Sequence, residues 1–317
     1  MKPIWPPVAT IIFKNSARLA VLSVLAIIAL APAPARAESP FSAQAHAVMK
    51  YYVEDKLFTG TVLVARDGQP VFRQAYGAAN REWMVPNTVD TRYRIGSITK
   101  PFTATAILQL AEENKLGLDD PVEKYLADLP AGWGRASIRQ LLAHTAGIPS
   151  HTALEDLYVK VLPVKHTPEE LIGLVRDRPL NHEHGTRFRY NNMAYVLLGR
   201  IIETVSGMRY PDYLEQKLLR PLGLRNSGYD DGRTVVNRLA QDYTDRVNDV
   251  VKARPFDTSN AYAAGAMYST VDDLLAWQQM LVKGKVLSPA SLNAMFTDGG
   301  HRYGLGWYVR ENLSRKL

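Results

Sequence analysis

Residues 97–100 of the 317-residue chain read Ser-Ile-Thr-Lys, and residues 190–192 read Tyr-Asn-Asn; each is the single match to its pattern, S-x-x-K or Y-x-N. A serine hydroxyl is a poor nucleophile until a base takes its proton. If Ser97 opens a helix, Lys100 shares its face one turn on, and the positive end of the helix dipole favours an oxyanion developing there. Gly96 lets a substrate approach the backbone, and Pro101 gives up an N–H that the first turn leaves unused. To act as a base, Lys100 must be neutral near pH 7, which requires burial or a nearby positive charge. Tyr190 can pass a proton to a leaving group, and the Asn192 amide can bind a substrate carbonyl and hold the lysine. The four side chains together suit acyl transfer through a covalent serine ester. The plain structural alternative is an exposed N-cap serine, a surface lysine, a core tyrosine and Asn192 as the N-cap of the following helix.

The surrounding sequence says which elements must position them. A helix is predicted from about Ser42 to Asp55, followed by strands at Thr61–Ala65 and Val71–Tyr76 joined by an Asp67-Gly68 hairpin turn. From Ser97 to about Leu287 the pattern is mostly helical. Asp119-Asp120-Pro121 reads as a cap with proline in the first turn, and Thr167-Pro168-Glu169-Glu170 as a capping box. Asn192 to Ser206 is apolar at helical spacing and stops at Gly207; Ser269-Thr270 starts another helix that ends at Gly284. Leu305–Val309 reads as a late strand. Strands early and late with helices between predict an α+β domain whose sheet is closed by distant segments.

Basic Lys2, Lys14 and Arg18 accompany a run from Leu19 to Leu30 that is apolar except for Ser23, and Ala35-Arg36-Ala37 fits a small-x-small cleavage site. The run is shorter than the roughly 20 residues of a spanning helix. Residues 1–37 are therefore expected to be a signal peptide cleaved after Ala37, giving a periplasmic or secreted protein without stable membrane insertion. The leader holds four basic residues and no acid, so the chain's +7 leaves 34 basic against 31 acidic residues, or +3, after cleavage. That balance argues against nucleic acid as a partner. The chain has no cysteine, which excludes disulfides, thiolate nucleophiles and thiolate metal sites.

The order and surroundings of the two motifs resemble the serine β-lactamase and penicillin-binding-protein family, in the branch of class C β-lactamases and related esterases and D-stereospecific peptidases. The resemblance runs from about Phe58 to Val309. It is carried by Tyr93-Arg94-Ile95-Gly96-Ser97-Ile98-Thr99-Lys100, Leu118-Asp119-Asp120-Pro121-Val122, the stretch from Leu141 to Pro149, and Phe188-Arg189-Tyr190-Asn191-Asn192. Arg220-Pro221-Leu222-Gly223-Leu224, the stretch from Ala264 to Leu274, and Tyr303-Gly304-Leu305-Gly306-Trp307 complete it. The resemblance implies that Ser97 is the acylated nucleophile, Lys100 its base and proton relay, Tyr190 a second acid/base and Asn192 a substrate-binding residue. The Ser97 N–H would be one of two oxyanion donors, and no metal or organic cofactor is implied. It also implies a sheet lobe of about residues 38–96 and 285–317 around a helical lobe of about 97–284. In the family a Lys-Thr-Gly or His-x-Gly strand, further sheet strands and a closing helix follow the segment resembling Tyr303–Val309. None precedes Leu317, so a member truncated at its C-terminus is expected.

Three functions follow. The first is an exported hydrolase cleaving an ester, a β-lactam or a D-amino-acid amide, with a small-molecule or peptidoglycan-derived substrate. The second is an inactive homologue that binds cell-wall fragments or β-lactams; the third is a fragment that does not fold by itself. His182-Glu183-His184 offers too little for a metal site, with no H-E-x-x-H in the chain, and no G-x-S-x-G elbow is present. His144 reads as a structural hydrogen-bonding residue. Trp133, Trp277 and Trp307 are candidates for a cleft, with Trp277 favoured as core.

Overall fold

The element order is helix, hairpin, a long helical middle and a helical end. The computed structural model describes residues 40–55, 58–246 and 249–309, with the backbone alone for 245, 246 and 249. The leader, its cleavage site and residues 310–317 lie outside these residues. Helix α1 (Pro40–Glu54) packs on a hairpin of β1 (Gly60–Arg66) and β2 (Gln69–Tyr76), whose register runs from Gly60 opposite Tyr76 to Val64 opposite Phe72. Asp67 (φ 51°) and Gly68 (φ 76°) are both left-handed, the geometry that an Asp-Gly turn supplies. Short β3 (Ala78–Asn80) and β4 (Val85–Pro86) pair next, and β5 (Tyr93–Arg94) leads into α2 (Thr99–Glu112).

The helical part comprises α3 (Ile138–Leu142), α4 (Pro168–Gly173), α5 (Asn192–Ser206) and α6 (Tyr210–Tyr213). After β6 (Gly228–Tyr229) come a hairpin of β7 (Tyr243–Arg246) and β8 (Asp249–Lys252), α7 (Tyr262–Gly265), β9 (Met267–Ser269), α8 (Val271–Val282) and α9 (Pro289–Phe296). Strand β9 pairs antiparallel with β5 through Tyr93–Ser269 and with β6 through Gly228–Tyr268. This small sheet draws three distant segments together beside Ser97, as an α+β domain closed by remote strands requires.

Helix α2 is the hub. It is buried from Thr99 through Leu108, hydroxyls included, so nothing on it forms a polar stripe. The Thr103 hydroxyl lies 2.7 Å from the Tyr210 hydroxyl and donates to the Ala263 carbonyl at 2.7 Å, which satisfies it without water. Phe102 stacks on Trp277 with centroids 4.1 Å apart. Helix α5 packs against α2, α3 and α7, with Met193–Leu198, Ile201 and Ile202 buried.

The boundaries of α5 and α8 fall where capping chemistry puts them. Helix α5 ends at Gly207 (φ 69°), and α8 begins after Thr270, whose side chain accepts from the Asp273 N–H. The Thr167 capping box is formed as the sequence predicts. Four expectations need correction. Asn191, not Asn192, is the N-cap of α5, because its side chain turns back to accept from the Ala194 N–H. Asp120 accepts from the Gly117 N–H at 2.8 Å, closing the loop behind it instead of capping forward. Leu305–Val309 is not a strand among the described residues: Gly306 is left-handed (φ 86°) and folds the run back, leaving one bridge between Tyr303 and Tyr308. Trp133 is buried, 1% exposed, and so cannot line a cleft.

Gly199 lies where α5 packs tightly against α7. A Cβ there would fall against Tyr262 Cε1 and within 2.6 Å of Ala263 Cβ. Gly→Ala inside a helix ordinarily gains about 1 kcal/mol; overpacking typically costs about 1–3 kcal/mol. Gly199→Ala is therefore expected to lower Tm in a thermal melt, and a raised Tm would show that α7 yields freely.

Candidate active site

Ser97 stands in a 3₁₀ turn (Gly96–Ile98) that runs directly into α2, with Gly96 in the left-handed region at φ 50°. Ser97 is exposed, whereas Lys100, in the first turn of α2, is 1% exposed. That contrast removes the surface-lysine alternative. Lys100 Nζ lies 3.1 Å from Ser97 Oγ, 2.9 Å from Asn192 Oδ1 and 2.8 Å from the Ala264 carbonyl. The rings of Tyr190 and Tyr195 pack against it, 4.8 and 5.3 Å from Nζ to their centroids.

Burial drives the Lys100 amine down from 10.5 to about 7. A neutral amine has two N–H donors and one lone pair. The Asn192 and Ala264 oxygens accept only, so they take the two N–H groups and leave the lone pair facing the Ser97 hydroxyl. The Asn192 amide is oriented in turn by donating from Nδ2 to Thr152 Oγ1 at 3.3 Å.

Tyr190 and Asn192 flank a residue with a different task. Asn191 caps α5 and donates to the Ile148 carbonyl, which ties the helix start to the loop after α3. Tyr190 is half-buried; burial raises its hydroxyl above 10, and its interaction with the Ser97 side chain partly offsets this. Beneath it lies His144, buried, with its ring 4.4 Å from that of Tyr190. His144 Nδ1 accepts from the Asn191 N–H at 3.2 Å, so the neutral ring carries its proton on Nε2, which faces the Tyr303 hydroxyl at 3.2 Å. Burial, with a smaller contribution from Lys100, pushes the imidazole down to about 3. His144 is thus the hydrogen-bonding residue that the sequence suggests.

Ser97, Thr152 and Asn192 line one cavity of about 670 Å³. It is lined as well by Ala264–Met267, which adjoins the Ser97 turn, by Lys252 at the end of β8 and by Ala253–Phe256 after it. Arg94 donates to Asp230 at 2.7 Å and to Asp242 at 2.6 Å, and Lys252 reaches Glu82 at 2.6 Å. Sequence reasoning missed Thr152, the Ala264 carbonyl and these charged groups. Ala264 lies inside a segment already quoted and Thr152 just beyond another; nothing in the sequence flagged the β7–β8 hairpin. The His182 and His184 rings bond backbone carbonyls of Glu183, Ala146 and Gly132.

Residues 45–314 match the family described as Beta-lactamase, and the chain belongs to that family of β-lactamase-fold hydrolases. It is 32% identical over 259 residues to PbpX of Bacillus subtilis strain 168, which carries a penicillin-binding-protein name, covering 81% of this chain and 64% of the relative. It is 26% identical over 273 residues to the teichoic acid D-alanine hydrolase of Staphylococcus aureus strain MRSA252, covering 83% and 66%. The chain thus spans just under two thirds of these relatives' lengths. Among solved structures it is similar to a D-stereospecific amidohydrolase from Streptomyces sp., with a TM-score of 0.70, 33% identity and 82% of each chain covered.

The buried amine has a measurable stability signature. Below about pH 7 both folded and unfolded chains carry the proton, and the cost of burying it, about 5 kcal/mol by the size of the shift, is present in full. Between about 7 and 10.5 the folded amine is neutral while the unfolded one is charged, so stability rises with pH. Chemical denaturation from pH 7.5 to 9.5 is expected to show wild type gaining up to about 1.4 kcal/mol per pH unit relative to Lys100→Met. Parallel pH dependences would mean that Lys100 is not held neutral.

Proposed function

We propose that the chain is an exported serine hydrolase that cleaves an ester, a β-lactam or a D-amino-acid amide through an acyl-enzyme on Ser97. The observation that carries this reading is the buried Lys100 amine, with two fixed acceptors and its remaining position 3.1 Å from Ser97 Oγ. Neutral Lys100 takes the Ser97 proton as Oγ attacks the substrate carbonyl. The oxyanion forms at the N-terminal end of α2, where the Ser97 N–H is one available donor. Tyr190, beside Ser97, passes a proton to the leaving group as the tetrahedral intermediate collapses to the serine ester. Water then attacks that ester with the same groups acting in reverse. Asn192 holds the lysine and offers its amide to the substrate. The D-configured and D-alanyl substrates in the names of two similar proteins support a substrate of that kind. Export rests on the leader and its Ala35-Arg36-Ala37 site.

Intact mass spectrometry after exposure to a fluorophosphonate, and separately to a penicillin, tests the nucleophile. One adduct of the expected mass is predicted, lost in Ser97→Ala; a folded wild-type protein that takes no adduct would leave a binding domain as the better reading. Where turnover is measured, Lys100→Ala is expected to slow acylation about 10²–10⁴-fold, the range for a positioned general base. The wild-type kcat/KM should rise with pH through about 7 as Lys100 loses its proton. A limb at that pH that persists in Lys100→Ala would assign it to another group.

A further inference from the structure

Six charged side chains line the cavity that contains Ser97: Glu82, Arg94, Asp230, Asp242, Lys252 and Arg254. Five of them satisfy one another, Arg94 with Asp230 and Asp242, Lys252 with Glu82. Arg254 has no carboxylate partner among the described residues. Its guanidinium instead lies over the Tyr158 ring, 5.8 Å from the centroid. Asp156, two residues before Tyr158, is taken by Lys160 at 3.0 Å. The backbone on either side of Arg254 is pinned. The Ala253 N–H donates to the Asp242 carbonyl at 3.1 Å, and the Asp257 N–H to the Leu162 carbonyl at 2.7 Å. Beside it the cavity wall is apolar, formed by Pro255, Phe256 and Leu162.

We propose that Arg254 is a specificity-determining residue that binds an anionic group, carboxylate or phosphate, on a part of the substrate other than the bond Ser97 attacks. The proposal rests on this cavity being where Ser97 meets its substrate. An arginine fork pairs bidentately with either anion, and its planar face stacks on an aromatic ring without using its donors. Stacking on Tyr158 restricts the side chain before a ligand arrives, which lowers the entropy of capture. The wall also discriminates between its cations. Arg94 sits between two carboxylates and carries a local surplus of negative charge, and Lys252 is neutralised by Glu82, so an anion entering the cavity is directed to Arg254. The neighbouring apolar wall fits a substrate whose anion is joined to the reacting group through a hydrocarbon stretch.

Two p-nitrophenyl esters with the same leaving group test this: the neutral butyrate and the anionic hemiglutarate. Arg254→Ala is expected to raise the ratio of hemiglutarate KM to butyrate KM about three- to tenfold, the scale of one solvent-accessible charged contact. Arg254→Lys should restore part of the loss, and added salt should shrink it. An unchanged ratio overturns the proposal. Should wild type hydrolyse neither ester, the serine-hydrolase reading fails while Arg254 is still tested, by calorimetric titration of glutarate and of glycerol 1-phosphate into wild type and Arg254→Ala. Weaker binding of either anion to the variant supports the proposal and tells carboxylate from phosphate; equal binding, or none to wild type, overturns it.

Discussion

A buried lysine, its amine pushed down to about 7, is the constraint on which the structure turns. Taking an amine out of water is among the costlier things a fold can do, and the chain offsets it by supplying two oxygen acceptors and two aromatic rings around Nζ. Those groups come from α5, α7 and the chain just before α5. None is near Lys100 in sequence. The helices must therefore meet at one point before the amine can be both dry and satisfied.

This explains why α2 is buried on every side. A helix with a solvent face would open a water path to its first turn, so α2 uses small residues and threonines whose hydroxyls close on neighbouring backbone. Gly199 lets α7 press close enough to α5 to bring the Ala264 carbonyl to Nζ. The three-stranded sheet does similar work at the other end, holding β5, and so the turn that carries Ser97, against the chain that follows α7. The geometry of the candidate site and the stability of the fold share the same contacts.

Much of this was legible in the sequence, for physical reasons that differ by element. The first hairpin, α5 and α8 could be read closely because glycine and capping residues punctuate them. The Ser97–Lys100 pair could be read because helical spacing alone brings the two side chains together. The dryness of Lys100 could not, since the residues that exclude water lie far along the chain. The exchange of roles between Asn191 and Asn192 was hidden too: either amide can cap, and the direction in which the chain enters α5 decides. Leu305–Val309 misled because its apolar composition suits a strand, while one glycine with positive φ sets its path. The β7–β8 hairpin gave no signal, its strands being short and largely polar.

The turn at Gly306 has a consequence of another kind. A Cβ at this residue would come within 3.3 Å of the Lys100 carbonyl and 2.8 Å of Ala104 Cβ, and Tyr303 beside it meets the His144 imidazole. The segment is a stopper in the back of the lysine's compartment. Any water admitted there would reach an amine whose lowered proton affinity depends on dryness, and would return it toward that of an ordinary charged lysine. The dryness of Lys100 therefore depends on the seating of this segment as well as on the helices around it.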